Sequence, residues 1–223
     1  MPSTGSVIVG GSGNVTTGNY NVIAGGAANL ISGNELNFIG AGSGNDVNWS
    51  RFSSSLGGEN NDISGSNGSV LLGGRNNLIH SGGFSFLGGG DGNKITGSQS
   101  SLSSILGGGS NLITGFDSVL AGGNLNRIFS DYSFIGGGEE NIASGEFSII
   151  AGGETNKTFG RHSVVLGGKT NIASGAYLFI GAGESNKVLA DYGFAAGRNS
   201  IVSGDHSGAF VLSDAFPTET LSS

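Results

Sequence analysis

The sequence predicts an all-β solenoid of about thirteen coils, each 15–16 residues long. Three observations predict this class: a repeat that covers nearly the whole chain, two short β-prone runs in each copy, and glycine-rich segments that close each run. Apolar residues make up 36% of the chain and charged residues 11%, which is typical of a folded core rather than of a disordered chain. The 46 glycines come with 2 prolines, a composition that excludes collagen.

The repeat unit is [Gly/Ala]-Gly-x-x-Asn, and its copies follow at steps of 15 or 16 residues, with one step of 18 and a degenerate thirteenth copy near Ser200. A coil this short suits two strands and two turns, and it must stack on its neighbours to bury a core. Asparagine otherwise avoids strands, which favours a structural ladder over a row of ligand groups. The predicted ladder consists of Asn14, Asn29, Asn45, Asn61, Asn77, Asn93, Asn111, Asn126, Asn141, Asn156, Asn171 and Asn186.

The two runs of each coil differ in how their faces are composed. Side chains alternate along a strand, so the second run places a branched column from Ile31 to Ile128 inward. Its other face carries Lys94, Arg127, Lys157 and Lys187, which predicts a half-exposed strand. The first run is apolar on both faces. Its outward residues are the predicted interface: Val7, Val22, Phe38, Val70, Phe86, Val119, Phe134, Ile149, Val164 and Phe179.

Leaving those outward residues in water would forgo about 1.5–3 kcal/mol each, or roughly 20 kcal/mol per chain. The whole stability of a typical domain is about 5–15 kcal/mol. No spare segment of the chain is available to cover the stripe, so we expect parallel copies of the chain to cover it for one another. The residues alone leave the number of copies open.

These coils resemble the head repeats of trimeric autotransporter adhesins (the YadA-like head), and similar repeats occur in phage tail fibres. One such coil reads Ser148-Ile149-Ile150-Ala151-Gly152-Gly153-Glu154-Thr155-Asn156. The resemblance covers residues 6–214. It implies a left-handed parallel β-roll and a homotrimer with the three rolls side by side. Residues 194–200 and 207–214 resemble the segment that ends such arrays, which predicts a repeat array over 1–204 and a terminating segment with the start of a stalk or tail over 205–223.

Residues that could carry chemistry are few. His80, His162 and His206 fall at different repeat positions, so they are interpreted as isolated surface histidines, and no close carboxylate pair is expected across neighbouring coils. Asp91 occurs once in a glycine-rich string, whereas a calcium-binding nonapeptide coil would repeat it. The corner residues Glu59, Asp91, Glu139, Glu140, Glu154 and Glu184 are expected to form a solvated edge. We therefore predict no enzyme, no cofactor and no metal.

Two irregular segments are further candidates. Trp49, Arg51 and Phe52 interrupt the repeat and could contact a cell-surface glycan or protein receptor, although packing of Trp49 on a neighbouring protomer is the favoured interpretation. The step of 18 predicts a small bulge around Ser98–Ser104.

The charge pattern and the ends of the sequence bear on partners. The net charge of −7 disfavours nucleic acid as a partner. No apolar run is long enough for a spanning helix, so membrane insertion is not expected. The first residues show no secretory signal, which favours a virion over a secreted protein.

The leading hypothesis is a non-enzymatic trimeric fibre segment, a rigid rod for host or surface attachment in a phage or phage-like tail fibre. The alternative is a bacterial cell-surface trimeric adhesin head. Two other classes remain: an ice-binding solenoid, which would favour small threonines where this chain has Val and Phe, and a glycan-processing β-helix, which would need clustered carboxylates.

Overall fold

The computed structural model describes residues 4–33, 35–97 and 102–213. These residues form an all-β parallel β-solenoid of about thirteen turns, and they contain no helix. The predicted fold class is confirmed at this level, whereas the left-handed winding and the trimeric state stay predictions. The chain divides into two compact units, Met1–Asp117 and Ser118–Ser223.

In the first unit, the two runs of each coil form two parallel sheets. First-run strands pair in the order β1 (Val7–Ile8), β3 (Val22–Ile23), β5 (Phe38–Ile39), β7 (Ser54–Ser55), β9 (Val70–Leu71), β11 (Phe86–Leu87) and β13 (Ser104–Ile105), and are called sheet A. Second-run strands are called sheet B and pair in the order β2 (Val15–Thr16), β4 (Leu30–Ser32), β6 (Asp46–Asn48), β8 (Asp62–Ser64), β10 (Leu78–His80), β12 (Lys94–Thr96) and β14 (Leu112–Ile113).

The second unit repeats the arrangement. Its sheet A contains β15 (Val119–Leu120), β17 (Phe134–Ile135), β19 (Ile149–Ile150), β21 (Val164–Val165), β23 (Phe179–Glu184), β25 (Phe194–Arg198) and β27 (Phe210–Ser213). Its sheet B contains β16 (Arg127–Ile128), β18 (Ile142–Ala143), β20 (Lys157–Thr158), β22 (Ile172–Ala173), β24 (Lys187–Val188) and β26 (Ile201–Val202). Strand β27 lies beyond the predicted boundary at 204 and pairs with β25. Residues 214–223 lie outside the described residues.

The core of each coil is formed by one inward residue from each sheet. In one coil these are Ile135 and Ala143, and both are fully buried. Aliphatic side chains fill this position in most coils because a two-residue strand offers one inward side chain. Ser55 is an exception: it is buried and its hydroxyl has no hydrogen-bond partner.

Neighbouring coils are held by backbone hydrogen bonds that run in both directions. Strand N–H groups donate to the coil that follows, as from Val22 N to Asn37 O at 2.9 Å. The residue two positions before each sheet A strand has a left-handed conformation, as Phe147 does before Ile149. Its N–H donates to the preceding coil, as from Phe147 N to Asp131 O at 3.1 Å. Each interior coil is therefore bound on both sides.

The 16-residue coils contain one extra residue at the corner that follows the sheet B strand. Trp49 and Ser81 occupy this position with φ values of 53° and 57°, and Gly33 and Gly65 occupy it in neighbouring coils. A single left-handed residue turns the chain without disturbing the strand register, since Val47 still pairs with Ile63 and Ile63 with Ile79. The bulge predicted around Ser98–Ser104 falls largely on residues 98–101, outside the described residues.

Candidate functional site

The ten predicted interface residues lie in one outward column of sheet A. Pairings such as Phe134 with Ile149 and Val164 with Phe179 align them from coil to coil. They remain partly accessible in the single chain, with Phe134 38% exposed and Ile149 39%. The column continues past the predicted set to Phe194 and Phe210, and the ring centroids of these two lie 4.3 Å apart. Ser54 and Ser104 interrupt it.

A second outward column lies two residues further along each sheet A strand, and its side chains complement the first in size. From Phe38 to Phe194, coils with Phe in the first column carry Gly or Ala in the second, and coils with Ser in the first carry Leu in the second; the last coil departs from this pattern with Phe210 and Leu212. The pairs that show this are Phe38 with Gly40, Phe86 with Gly88, Phe134 with Gly136, Phe179 with Gly181, Phe194 with Ala196, Ser54 with Leu56, and Ser104 with Leu106. We call the two columns together the apolar face.

Close approach of the next coil's backbone keeps the second column small in several phenylalanine coils. A Cβ added to Gly40, Gly88 or Gly136 would collide with the carbonyl oxygen of Leu56, Leu106 or Ala151, respectively. A Cβ on Gly136 would also lie 3.3 Å from Phe134 Cε1, whereas one on Gly181 would make ordinary contact with Phe179 Cε1 at 3.5 Å. In the serine coils, Leu56 and Leu106 supply the apolar surface instead and are 46% and 53% exposed. The phenylalanine and serine coils up to Phe194 therefore present a similar apolar volume, whereas the last coil, with Phe210 and Leu212 both 60% exposed, presents more.

A corner column of aromatic residues flanks the apolar face, and the sequence reasoning missed it. Its members lie two residues before the first residue of each sheet A strand and have left-handed backbone conformations. In the second unit the rings stack with centroid distances of 4.7, 4.8, 4.8 and 5.3 Å along Tyr132, Phe147, His162, Tyr177 and Tyr192. His162, which the sequence placed at the surface without ligand partners, lies between the rings of Phe147 and Tyr177.

The corner column had a readable sequence signal. An aromatic residue or leucine immediately precedes the polar residue of the first run in most coils, as Tyr20, Leu36, Phe52, Phe84 and Leu102 do in the first unit. Strand alternation gives no direction for a left-handed corner residue, so periodicity alone could not place these side chains at the surface.

The repeat asparagines form a buried amide ladder. Asn156 shows its geometry: Nδ2 donates to Gly152 O at 3.1 Å and to Gly168 O at 2.9 Å, and Oδ1 accepts from the backbone N of Asn171 at 3.0 Å. Asn14 is partly buried, and the other eleven ladder asparagines are 0–1% exposed. One side chain thus satisfies backbone groups in its own coil and in the next one. Ser200 takes the same position in the degenerate copy: its Oγ donates to Ala196 O at 2.9 Å, and its N–H donates to Asn186 Oδ1 at 2.9 Å.

A second buried polar ladder is formed by the residues that immediately precede the sheet A strands, such as Ser53 and Ser163. Ser53 Oγ donates to Ser66 O at 2.6 Å and accepts from the backbone N of Ser69 at 3.2 Å. Ser163 Oγ likewise donates to Gly175 O at 2.9 Å. The two ladders lie at the two ends of the inward strand positions, so corner carbonyls such as those of Ser66, Gly168 and Gly175 have buried partners. Ser85 is an exception, since its hydroxyl is buried without a partner.

Sheet B brings together two carboxylates that the sequence reasoning kept apart. Asp46 and Asp62 pair directly across adjacent strands, and the expectation that no close carboxylate pair occurs is wrong. Burial raises the pKa of Asp46. Burial and then the charge of Asp46 raise the pKa of Asp62, while His80 and a hydrogen bond with Ser64 lower it. His80 Nδ1 also lies 2.9 Å from Ser64 Oγ.

Several corner carboxylates are paired with a cation one coil away. Asp91 lies 2.7 Å from Arg75, Glu154 lies 2.9 Å from Lys169, and Glu184 lies 3.2 Å from Arg198. Both partners of each pair are about half exposed. Exposed pairs of this kind contribute about 0–1 kcal/mol, so this edge is solvated and adds little to stability.

Trp49, Arg51 and Phe52 are all exposed, with Trp49 70% and Phe52 62% accessible. Trp49 occupies the extra corner position, and its ring covers Gly33, where an added Cβ would lie 3.3 Å from Trp49 Cε3. Phe52 belongs to the corner column. A receptor contact by these three residues stays a prediction.

No group of three or more His, Asp and Glu side chains within 4–33, 35–97 and 102–213 could hold a metal ion. Over the same ranges, no helix has the length and hydropathy needed to cross a bilayer. Comparison with protein-family models and with curated proteins gave no match. Functional inference therefore depends on the geometry of the two outer faces.

Proposed function

We propose that this chain is a non-enzymatic segment of a homotrimeric fibre or adhesin, in which three left-handed rolls cover one another's apolar faces. In this proposal the chain works as a structural and attachment module in a virion tail fibre or on a bacterial surface, the settings in which similar repeats occur. The observation that carries the proposal is the apolar face, which runs along sheet A in both units and is half-exposed in the single chain.

The similar apolar volume of the phenylalanine and serine coils up to Phe194 supports parallel, in-register copies. When identical copies surround an axis that runs along the stack, each coil meets the same coil of its neighbours. A coil with Phe134 and Gly136 then presents about as much apolar surface as a coil with Ser54 and Leu56. The copies can keep one separation over these coils, because the phenylalanine and serine coils up to Phe194 are similarly bulky.

The decisive measurement is the mass of the assembly in solution, by light scattering or sedimentation. We expect three chains. Replacing both Phe134 and Phe179 with aspartate should dissociate the assembly and leave insoluble or unfolded chains, since two buried charges per chain would face the axis. The matched control replaces Phe129 and Phe159, on the opposite sheet and 46% and 51% exposed, with aspartate; its mass should equal that of the wild type.

The proposal has two clear ways to fail. A wild-type chain that is monomeric and well folded would overturn it, because its apolar face would then be stable in water. Soluble, folded monomers of the Phe134→Asp, Phe179→Asp variant would also contradict it.

A further inference from the structure

Sheet B of the second unit has an outward surface whose residues alternate over two coils. Its first outward position carries a cation in every second coil and isoleucine between them: Arg127, Ile142, Lys157, Ile172, Lys187 and Ile201. Strands lie about 4.7–4.9 Å apart, so successive cations are about 9.6 Å apart along the stack.

The next outward position alternates in phase with the first. Phe129, Phe159 and Leu189 follow the three cations, and Ser144, Ser174 and Ser203 follow the three isoleucines. Phe129 is 46% exposed, Phe159 51% and Leu189 37%. Each cation therefore has an accessible apolar side chain beside it, and we call the three pairs the cationic–aromatic face.

The cations of this face are the unpaired ones. Among the six Lys and Arg residues of 118–213, the structure pairs Arg161 with Glu146 at 3.3 Å, Lys169 with Glu154, and Arg198 with Glu184. Within that described range, Arg127, Lys157 and Lys187 form no ion pair. Their charges are thus available to a partner, whereas the other three cations of this unit form ion pairs with carboxylates of the same chain.

A groove crosses the first part of this face. It has a volume of about 260 Å³ and is lined by Leu125, Arg127, Glu140, Ile142, Thr155 and Lys157. Two cations form its walls, with Ile142 between them. Glu140 is the acidic residue of this groove; Leu125 and Thr155 occupy the same corner position in the adjacent coils.

We propose that the cationic–aromatic face binds a linear anionic glycan in which an acidic sugar alternates with a neutral one. The disaccharide repeat of such an extended chain spans about two strand spacings, which matches one cation per repeat. The carboxylates would pair with Arg127, Lys157 and Lys187, while the apolar faces of sugar rings would lie on Phe129 and Phe159. Charge-assisted hydrogen bonds of this kind are the stronger ones, and aromatic side chains recognise sugar rings by their C–H faces.

A single-stranded nucleic acid fits this face less well. It carries a charge on every nucleotide, and neutralising these charges needs densely placed cations. Here the positions between the cations carry isoleucine, and the chain has a net charge of −7. The wide spacing therefore favours a polymer of low charge density.

The test measures binding of the full chain to hyaluronan oligosaccharides, with polygalacturonate and an oligo-dT strand as the comparison polymers. We expect hyaluronan to bind more tightly than either comparison polymer. The variant R127Q/K157Q/K187Q should lose about tenfold or more in affinity, because three charged contacts are removed. The variant F129S/F159S should also bind more weakly, but with the salt dependence of the wild type.

The matched control is R161Q/K169Q/R198Q, which removes the same number of positive charges from the paired corner cations. It should keep the affinity of the wild type to within about twofold, since exposed ion pairs contribute little. Equal losses in the two triple variants, no binding of hyaluronan, or equally tight binding of oligo-dT would each overturn the proposal.

This inference goes beyond the proposed assembly and does not depend on it. The mass of every variant is measured in the binding samples. Loss of binding at unchanged mass is attributable to this face alone, and a monomer that still binds hyaluronan would contradict the trimer while leaving the glycan site supported.

Discussion

At the scale of single residues, the buried polar positions are taken by side chains that can satisfy both donors and acceptors. An asparagine amide offers two N–H donors and one oxygen acceptor, and Asn156 uses all three. An aspartate at this position would offer acceptors where the corner carbonyls of Gly152 and Gly168 need donors. Since a buried carbonyl without a partner costs about 1–3 kcal/mol, the amide is favoured coil after coil.

Asp62, like Ser55, is a residue at which this matching fails. It lies opposite Asp46 on sheet B, and its Oδ1 atom is buried without a hydrogen-bond partner. Like charges directly opposite each other destabilise a sheet. The pKa of Asp62 in the folded chain is raised above 3.8, chiefly by burial, so the folded state holds the proton more tightly than the unfolded state.

The first prediction concerns the pH dependence of stability. The protonated Asp62 favours folding at pH values below 3.8, and this contribution is lost as the pH rises through the raised pKa. Replacing Asp62 with asparagine should therefore increase the free energy of unfolding at pH 7 and flatten its dependence on pH above 3.8. Denaturant unfolding of both proteins across this pH range measures the difference.

Asp205→Asn is the control for that experiment, because Asp205 is exposed and the substitution makes the same change in charge. It should leave the pH profile close to that of the wild type. A loss of stability in Asp62→Asn at pH 7 would show that the carboxylate pair is stabilising, contrary to the prediction.

At the scale of the element, the corners decide whether coils can stack. The two glycines of the Gly-Gly-x-x-Asn corner have different roles. Gly153 has φ of +92°, and a Cβ there would collide with Gly168 O and lie 2.6 Å from Asn156 Nδ2. A Cβ on Gly152 would meet no atom within 4 Å. The second glycine is therefore required by close approach of the next coil, whereas the first is not.

The second prediction follows from this difference. Gly153→Ala should lower the free energy of unfolding by about 3 kcal/mol or more, because it combines a strained backbone conformation with a clash against backbone atoms. Gly152→Ala should leave it unchanged or raise it by about 0.4–1 kcal/mol, because alanine restricts the unfolded chain. Thermal and denaturant unfolding measure both. Equal effects of the two substitutions would mean that the corner relaxes around a Cβ.

At the scale of the whole molecule, the sequence predicts the fold well because one short pattern recurs in every coil. Strand alternation placed Ile135 and Ile150 inward and Phe134 and Ile149 outward, and the structure agrees on these faces. The pair of Asp46 and Asp62 was readable too, since each directly follows a ladder asparagine. The corner column of Phe147 and its neighbours recurs in the sequence, but the direction of its side chains was not predictable, because a left-handed residue breaks the alternation. The number of copies depends on how the surfaces of separate chains pack together, which the repeat pattern of one chain does not specify.

The last prediction tests whether coupling free energies are confined to neighbouring coils, as in other stacked repeats. Asn156→Ala and Asn171→Ala remove adjacent ladder residues that share a hydrogen bond from Asn171 N to Asn156 Oδ1 at 3.0 Å. Their effects on the free energy of unfolding should be non-additive by about 0.5 kcal/mol or more. Asn156→Ala combined with Asn61→Ala, a ladder residue of the first unit with no shared partner, should be additive within about 0.5 kcal/mol. Double-mutant cycles from denaturant unfolding give both values. Similar coupling in the two cycles would show that the ladder acts as one cooperative unit rather than as a chain of local links.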